Sequence, residues 1–402
     1  MPDVPGPTPP PAERVGVWLI GARGSVATTA VVGAAAMAAG LAETTGLVTG
    51  GSAFAGAGLP RLADLVFGGS EVVETPLAKR AEALAAGGVI PPWLPTEVAD
   101  SVEAADAAVR PGIGAGPPER PLEAIRRIRR DLEDFRTSHR LARVVVINLS
   151  STEAPAGASP AHGTLALLDA ALERGEAVLP PSSLYAYAAL DAGCGFVDFT
   201  PSLGARIPAL EELALQRGVP HAGSDGKTGE TLVKSVLAPM FADRALRVRS
   251  WAGTNILGGG DGAALADPAR ARSKLDSKGR SLEAILGYPV DAPVHIDYVA
   301  DQGEWKTAWD HIGFEGFLGT RMRMQFTWEG CDSALAAPLV LDLARLTARA
   351  AATGRAGAQP DLAFFFKDPA GSDDHRLDHQ YARLCAWAEG LGGEDGGSAP
   401  LD

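Results

Sequence analysis

Lysine is rare in this chain, and most of its lysines lie in one part of the sequence. Of the 36 basic residues only seven are lysines, and six of these fall between residues 227 and 367. The lysine ammonium group can lose its proton when it is desolvated, whereas an arginine guanidinium stays charged, so lysines suit proton transfer near neutral pH. Either chance and codon bias cluster these lysines, or chemistry requires them there.

Two polar turns accompany the lysines. Ser224–Thr231 has the sequence SDGKTGET and leads into a predicted helix that continues through Lys234. A turn with an acid, an ammonium group and hydroxyls at a helix start suits an anion or a sugar. Trp251–Gly262 then passes from a strand into a glycine-rich loop, and Lys274 and Lys278 follow with the spacing of one helical face. The two ammonium groups repel each other unless an anion lies between them, which would make this an anion site. The alternative interpretation is an ordinary solvated face of a helix.

A glycine turn near the start of the chain is typical of a dinucleotide site. The apolar run Val15–Ile20 ends at the turn Gly21–Ser25, and a small-residue helix follows from Val26 to about Gly40. Strand, glycine turn and helix form the unit in which a pyrophosphate binds at a helix N-terminus. The turn lacks the full GxGxxG spacing, and no acid closes the predicted second strand, Gly46–Gly50. By itself the signal is weak, and an ordinary strand-to-helix turn is the alternative.

The first part of the chain predicts a parallel α/β sheet. Apolar segments followed by polar loops recur, and helices such as the one from about Thr164 to Arg174 separate them. Between Leu59 and Pro121 the chain is rich in Ala, Gly and Pro, and we expect it to run over the surface with short helices. The predicted strands after this stretch are Arg143–Asn148, Gly175–Leu179, Gly195–Phe199 and Gly218–His221.

After Thr231 the pattern changes to alternating apolar and polar residues, which predicts half-buried antiparallel strands of a second sheet. In the last of these strands four apolar side chains share one face, which is typical of a core or a subunit interface. A helix from Leu335 to Ala351 follows. The strands are Arg247–Ala252, Val294–Val299 and Leu318–Trp328, and the apolar face consists of Met322, Met324, Phe326 and Trp328.

Composition excludes several classes of protein. The net charge of −13 disfavours a nucleic-acid partner, and no apolar run approaches the ~20 residues of a bilayer span. Cys194, Cys331 and Cys385 are too scattered for a disulfide framework or a zinc site, so we expect a cytoplasmic protein. The histidines lack metal-ligand spacing, and we predict no metal site. Residues 1–13 are rich in proline and are expected to form a flexible leader outside the fold.

Five segments in order resemble the motifs of the myo-inositol-1-phosphate synthase family: SDGKTGET, TNILGGGDG with RSKLDSK after it, GEWK, CDSALAAPLVLDL and FFFK. The resemblance extends from about Val15 to Pro369. It implies a Rossmann-like, doubly wound parallel sheet domain, discontinuous in sequence, with an inserted α+β domain for catalysis and oligomerisation. Residues 14–231 and 335–402 would form the NAD-binding domain and residues 232–334 the inserted domain. It also implies NAD as cofactor, a small-molecule sugar phosphate as substrate and a homotetramer.

The family chemistry explains a need for lysines. The resemblance implies conversion of glucose 6-phosphate to myo-inositol 1(3)-phosphate. NAD oxidises the C5 hydroxyl, a C6 proton leaves, the enolate closes on the C1 aldehyde, and reduction regenerates NAD. Each step moves a proton beside a developing oxyanion, which crowded ammonium groups can stabilise. Five of the seven lysines match family active-site positions, which favours function over chance clustering.

The resemblance assigns roles residue by residue. Lys274 and Lys306 would transfer protons and stabilise the oxygen at C5, Lys367 would act at the C1 carbonyl, and Lys278 would lie near the phosphate. The expected catalytic residues are Lys274, Lys306, Lys367, Asp225, Asp261 and Asp332. The expected substrate-binding residues are Lys227, Thr228, Gly229, Thr231, Asn255 and Lys278. The expected cofactor-binding residues are Gly21, Arg23, Gly24, Ser25, Ser151, Thr152 and Asp198.

Three departures from the family pattern leave the lysines intact and open the question of substrate. Gly259 and Gly260 stand where the family has two asparagines, Glu230 stands where glutamine is usual, and Glu304-Trp305 replaces Asp-Ser. One alternative is a paralogue that converts another sugar phosphate, such as fructose 6-phosphate, to a five-membered cyclitol phosphate. A plain dehydrogenase and a non-catalytic NAD-binding protein are the others.

Overall fold

A computed structural model of the chain describes residues 13–116, 118–259 and 282–393. Its strands are β1 Val15–Ile20, β2 Leu65–Glu71, β3 Val109–Pro111, β4 Arg143–Asn148, β5 Gly195–Asp198, β6 Pro220–Gly223, β7 Arg247–Leu257, β8 Val294–Tyr298, β9 Trp305–Glu315, β10 Arg321–Cys331 and β11 Gly357–Ala358. Its helices are α1 Ser25–Ala38, α2 Leu77–Ala86, α3 Leu94–Glu97, α4 Ala99–Ala107, α5 Pro121–Ser138, α6 Leu165–Glu173, α7 Pro181–Asp191, α8 Pro208–Arg217, α9 Gly229–Asp243, α10 Asp332–Ala352 and α11 Leu377–Gly393.

The first sheet has the strand order β11-β6-β5-β4-β1-β2-β3, and every pair in it is parallel. Helices α1, α2, α4 and α10 cover one face, and α5 to α8 cover the other. This is the doubly wound Rossmann arrangement, in which strand order reverses between β1 and β4 and ligands bind in the crevice beyond the carboxyl ends of those strands. The predicted fold class is confirmed.

The second strand of this sheet is not where the sequence pattern placed it. Val48–Gly50 forms a short 3-10 turn, and the neighbour of β1 is β2, within the stretch expected to run over the surface. Gly68, Gly69 and Ser70 make β2 look like a turn, but its register with β1 supplies the backbone hydrogen bonds. Segment 175–179 forms no strand, because β1 and β5 already occupy both edges of β4. Both predictions were wrong for non-local reasons.

The second sheet has the order β10-β9-β7-β8. Strand β9 pairs antiparallel with β7 and β10, as expected for these two segments, whereas β8 pairs parallel with β7, so the antiparallel expectation was wrong for β8. Met324 and Phe326 pack on a core with Trp251 and Phe241, while Met322 is exposed. Helix α9 contributes Phe241 and so joins the inner face of this sheet. Among the described helices none is long and apolar enough to cross a bilayer.

Candidate functional site

Two adjoining cavities lie at the carboxyl edge of the first sheet. The larger has a volume of about 590 Å³ and the smaller about 150 Å³. Their walls share Val26, Leu149, Ser150, Lys306 and Asp332. Val26 belongs to α1, which packs on the first sheet, and Lys306 belongs to β9 of the second sheet. The shared wall is therefore formed by elements of both layers. A molecule in the larger cavity and one in the smaller cavity would therefore meet beside Lys306.

The turn after β1 fits a dinucleotide pyrophosphate. Gly21 has φ +78°, and a Cβ there would lie 3.1 Å from the Cα of Ser150, so only glycine suits this position. The turn opens the N-terminus of α1 to the larger cavity, where unpaired N–H groups and the helix dipole favour an anion. The predicted residues Gly21, Arg23, Gly24 and Ser25 line this cavity, as does Ser151. Its volume is in the range typical of ligand sites.

Glu71 closes β2, the strand next to β1, and lines the larger cavity. Its carboxylate accepts hydrogen bonds from the backbone N–H groups of Arg23, at 2.8 Å, and Val72, at 2.7 Å. An acid at this place binds the adenosine ribose hydroxyls in NAD-binding sheets of this class. Sequence reasoning missed Glu71 because it placed the second strand at 46–50. The Arg23 side chain is bound to Asp106, with Nε to Oδ1 at 2.8 Å.

Two further predicted cofactor residues differ in their positions. Thr152 lines the smaller cavity, whereas Asp198 is buried and lines neither of the two. Asp198 Oδ1 accepts hydrogen bonds from Thr200 Oγ1 at 2.8 Å and Asn148 Nδ2 at 3.1 Å. Burial raises the pKa of Asp198 to about 7. The position of Asp198 below Thr200, which does line the smaller cavity, indicates support of the wall rather than direct contact.

Lys367 and Asp225 form a buried ion pair in the smaller cavity. Lys367 Nζ lies 2.8 Å from Asp225 Oδ1, and the side chains are 11% and 6% exposed. Backbone pairing positions them, since Lys367 N donates to Asp225 O at 2.7 Å and Lys227 N donates to Phe365 O at 2.8 Å. Asp225 Oδ2 has no hydrogen-bond partner among the described residues. An acceptor oxygen therefore remains for a ligand hydroxyl.

Lys306 and Asp332 form the wall between the two cavities. Lys306 Nζ lies 3.6 Å from Asp332 Oδ2, and Thr228 Oγ1 donates to Asp332 Oδ1 at 3.4 Å. Asp332 begins α10, and Gly229 begins α9 directly after Thr228. Asp332 therefore ties a lysine at the start of β9 to the N-terminal turn of α9. Helix N-termini favour anions, so this region suits a phosphate ester.

Lys227 lies in a narrow crevice beside this site, with Thr231, Lys234, Lys367 and His375. Its Nζ donates to Gln380 Oε1, and burial lowers its pKa to about 7. Burial and the nearby Lys227 also lower the pKa of His375. His375 was not predicted as a site residue, because no spacing in the sequence connects it with the lysines. Three lysines and a histidine thus surround one crevice.

Glu230 faces inward, and a neighbouring ammonium group compensates its negative charge. Its side chain is 1% exposed, and Oε1 lies 2.5 Å from Nζ of Lys234, one helical turn further along α9. Asp310 on β9 lies 3.7 Å from the same ammonium group and accepts a hydrogen bond of 2.7 Å from Trp251 Nε1. Sequence reasoning identified the Glu230 substitution and missed its partner Lys234, although the spacing of four residues was a signal.

The remaining predicted residues are only partly placed. Asn255 is fully buried on β7, and neither atom of its amide has a hydrogen-bond partner among the described residues. Lys274, Lys278 and Asp261 lie outside the described residues. In the described ranges, no group of three His, Cys, Asp or Glu side chains is placed to hold a metal ion.

Fold and larger cavity together define a dinucleotide-binding protein of the Rossmann class. The NAD-binding model of the myo-inositol-1-phosphate synthase family matches residues 15–388. The chain belongs to this family, and its cofactor is NAD.

Curated relatives of this chain carry the name inositol-3-phosphate synthase. Inositol-3-phosphate synthase 1 of Bacteroides thetaiotaomicron is 38% identical over 266 residues, which cover 64% of this chain and 62% of that protein. The human inositol-3-phosphate synthase 1 is 35% identical over 239 residues, which cover 56% of this chain and 42% of that protein. The matched part of the chain thus spans less than two thirds of each relative.

A solved structure of inositol-3-phosphate synthase from Caenorhabditis elegans has the same fold. It superposes with a TM-score of 0.81 at 22% identity and covers 98% of this chain and 90% of its own.

Proposed function

We propose that the chain is an NAD-dependent cyclitol phosphate synthase that converts glucose 6-phosphate to myo-inositol 1(3)-phosphate. The reaction would be an oxidation, an enolisation, an intramolecular aldol closure and a reduction, with no net redox change. The observation that carries the proposal is the wall shared by the two cavities. Lys306 lines both cavities and Lys367 lines the smaller one. Two lysines therefore face the smaller cavity, which adjoins the larger cavity proposed to bind the dinucleotide.

The turn Gly21–Ser25 and Glu71 would hold NAD in the larger cavity, where it would supply a reversible hydride acceptor for the C5 carbinol. Lys306, at the wall between the cavities, would take the proton of the C5 hydroxyl and return it on reduction. Asp332, 3.6 Å from Lys306, would hold the ammonium group beside the C5 oxygen as charge develops there. Lys306 is already protonated when the C6 proton leaves, so Lys274, which lies outside the described residues, would accept that proton.

Lys367 would act at the other end of the sugar. Its ammonium group, held 2.8 Å from Asp225, would donate a proton to the C1 oxygen as the C6 carbon attacks C1. The C1 aldehyde would thereby become a hydroxyl as the ring closes. Asp225 Oδ2, which is without a partner among the described residues, would accept a hydrogen bond from a sugar hydroxyl.

The start of α9 would bind the phosphate. Thr228, Gly229 and Thr231 supply hydroxyls and N–H groups at the helix N-terminus, where a dianion is favoured. Lys227, with a pKa of about 7, would gain a proton as the phosphate approaches. Lys278 would complete the phosphate site, because it matches a family lysine that lies near the substrate phosphate.

Family resemblance supports further proposals on organisation. Residues 14–231 and 335–402 would form the NAD-binding domain, and residues 232–334 the catalytic and oligomerisation domain of a cytoplasmic homotetramer. Support comes from the second sheet, since its strands β7 to β10 all fall within 232–334.

The deciding experiment follows the purified protein with NAD by phosphorus and carbon NMR, with glucose 6-phosphate and fructose 6-phosphate offered separately. The proposal expects inositol phosphate from the glucose ester without accumulation of NADH. A cyclitol from the fructose ester alone would assign the chain to the paralogue reaction. Stoichiometric NADH without ring closure would indicate a dehydrogenase, and silence with both esters would contradict the proposal.

A further inference from the structure

Glu304 and Trp305 both line the larger cavity, and both depart from the family pattern. They precede Lys306 directly, at the start of β9, on the wall that the second sheet contributes. Two departures from the family pattern therefore lie in the wall of the larger cavity, beside an expected catalytic lysine.

Glu304 joins two helices of the first sheet. Ser25 Oγ donates to Glu304 Oε1 at 3.0 Å, and Ser333 Oγ donates to Glu304 Oε2 at 3.2 Å. Ser25 is the first residue of α1, and Ser333 is the second residue of α10. A carboxylate is stabilised by the partial positive charge of two helix N-termini. Glu304 therefore connects the start of β9 to both helices.

Trp305 makes a second contact between the layers. Its Nε1 donates to the carbonyl of Gly87 at 3.2 Å, directly after the end of α2. The last carbonyls of a helix lack intrahelical partners, so the indole N–H satisfies an open acceptor. Glu304 and Trp305 thus attach one short segment to three different helices of the first sheet.

The backbone beside this segment leaves little freedom. A Cβ at Gly258 would lie 2.5 Å from the backbone N of Gly303, so the end of β7 presses against the residue before Glu304. A Cβ at Gly259 would lie 4.0 Å from Glu304 Oε2. An asparagine at Gly259, as in the family pattern, would project toward the space beside this carboxylate. The substitutions at 259 and 304 therefore concern one place in the molecule.

We propose that Glu304 and Trp305 form a clasp that retains the dinucleotide in the larger cavity between oxidation and reduction and positions Lys306. The inference rests on the proposed function, because a redox-neutral cycle fails if the reduced cofactor leaves before the last step. Release at that point would strand the oxidised sugar as a ketone. The clasp residues act through the cofactor and Lys306, and they are positioning residues.

The test measures release of NADH without any sugar. Protein loaded with NADH is mixed rapidly with excess NAD, and the loss of NADH fluorescence gives the dissociation rate. Trp305→Phe removes the indole N–H, and Glu304→Gln removes the charge and one acceptor oxygen. Loss of one hydrogen bond should speed release by about fivefold, and the double variant should combine the two effects. Trp309→Phe is the matched control, since Trp309 lies on the same strand with 41% exposure against 39% for Trp305.

Release rates equal to those of the wild type and of Trp309→Phe would overturn the clasp. Slower release from Glu304→Gln would also overturn it, since the carboxylate would then repel the dinucleotide. The thermal unfolding midpoint of each variant is measured as well. A midpoint equal to that of the wild type shows that faster release of NADH does not come from a general loss of stability.

A second readout separates the clasp from the proposed function. With glucose 6-phosphate, the clasp variants should release free NADH during turnover, and kcat should fall more than KM changes. The variants could release NADH faster while neither they nor the wild type form a cyclitol from glucose 6-phosphate. That result would support the clasp and contradict the proposed substrate.

Discussion

Lys367 Nζ and Asp225 Oδ1 lie 2.8 Å apart, although 142 positions separate the two residues in the chain. The pair is nearly buried on the wall of the smaller cavity. Its geometry brings the proposed proton donor of the aldol step to the place where two distant segments pair through their backbones. Removal of either partner leaves the other charge buried without its counter-ion, so the pair should act as a unit.

Replacement of Lys367 should stop the reaction after oxidation. In Lys367→Met, loss of the proton donor to C1 should lower turnover by about 10²–10⁴-fold, the usual contribution of general acid catalysis. NAD bound to the variant should still be reduced, so one equivalent of NADH should form and persist. Absorbance at 340 nm in single turnover measures this, and Lys79→Met, which changes an exposed lysine, is the control. Full turnover by Lys367→Met would refute the role.

Replacement of Lys306 should stop the reaction earlier. Lys306→Ala lacks the proposed base at C5, so neither cyclitol nor an equivalent of NADH should form. NAD should remain bound, because the glycine turn and Glu71 are unchanged. Single-turnover absorbance together with the NAD content of the purified variant checks both points. Reduced cofactor in this variant would assign the C5 proton to another residue.

Binding of a sugar phosphate should be coupled to uptake of a proton at Lys227. With a pKa of about 7, this lysine is largely uncharged at pH 8, and an adjacent phosphate dianion favours its ammonium form. Up to about 0.9 proton should be taken up per ligand bound at pH 8. Calorimetric titration with glucitol 6-phosphate, which has no aldehyde, in buffers of different ionisation enthalpy measures the uptake. Lys227→Met should abolish it; undiminished uptake would point to another group.

Glu71 should select NAD over NADP. A carboxylate at the end of β2 accepts hydrogen bonds from ribose hydroxyls and repels a 2′-phosphate. Glu71→Gln should therefore weaken NAD binding and shift the NAD to NADP affinity ratio at least about tenfold toward NADP. Binding titrations with both dinucleotides measure the ratio. Glu82→Gln, a change of an exposed acid on α2, is the control, and an unchanged ratio would exclude Glu71 as the discriminating residue.

Asp198 should make the fold less stable as pH rises. Burial raises the pKa of Asp198 in the folded chain to about 7, well above its ordinary value of 3.8, so the folded chain binds the proton more tightly than the unfolded chain. The stability this adds is present below the unfolded pKa and is lost as pH rises toward 7. Asp198→Asn cannot ionise and should lose less stability, by a difference on the order of a few kcal/mol, between pH 5 and pH 8. Urea denaturation at both pH values checks this, and equal losses would contradict the buried-carboxyl account. Asp342, whose pKa burial also raises, to about 6, remains in both proteins.

Local patterns in the sequence were sufficient for much of the fold. The run Val15–Ile20, the turn at Gly21 and the following helix were predictable, because a buried parallel strand is continuously apolar and a positive φ requires glycine. The ordered motifs also identified the family and directed attention to Lys306 and Lys367. These features depend on neighbouring residues in the chain, so sequence alone records them.

The tertiary structure decided which distant segments meet. Glycine-containing β2 becomes a strand only because an edge of β1 is open to it, and this places Glu71 at the cavity. Strand β9 mixes apolar and charged residues and was not predicted, yet pairing on both sides forms it and carries Lys306 to the shared wall. The position of His375 beside the lysines, and the contact of Glu304 with Ser25 across 279 positions, follow from tertiary packing. Hydrogen-bonding edges and interior space are shared by the whole chain, so no local pattern could specify their use.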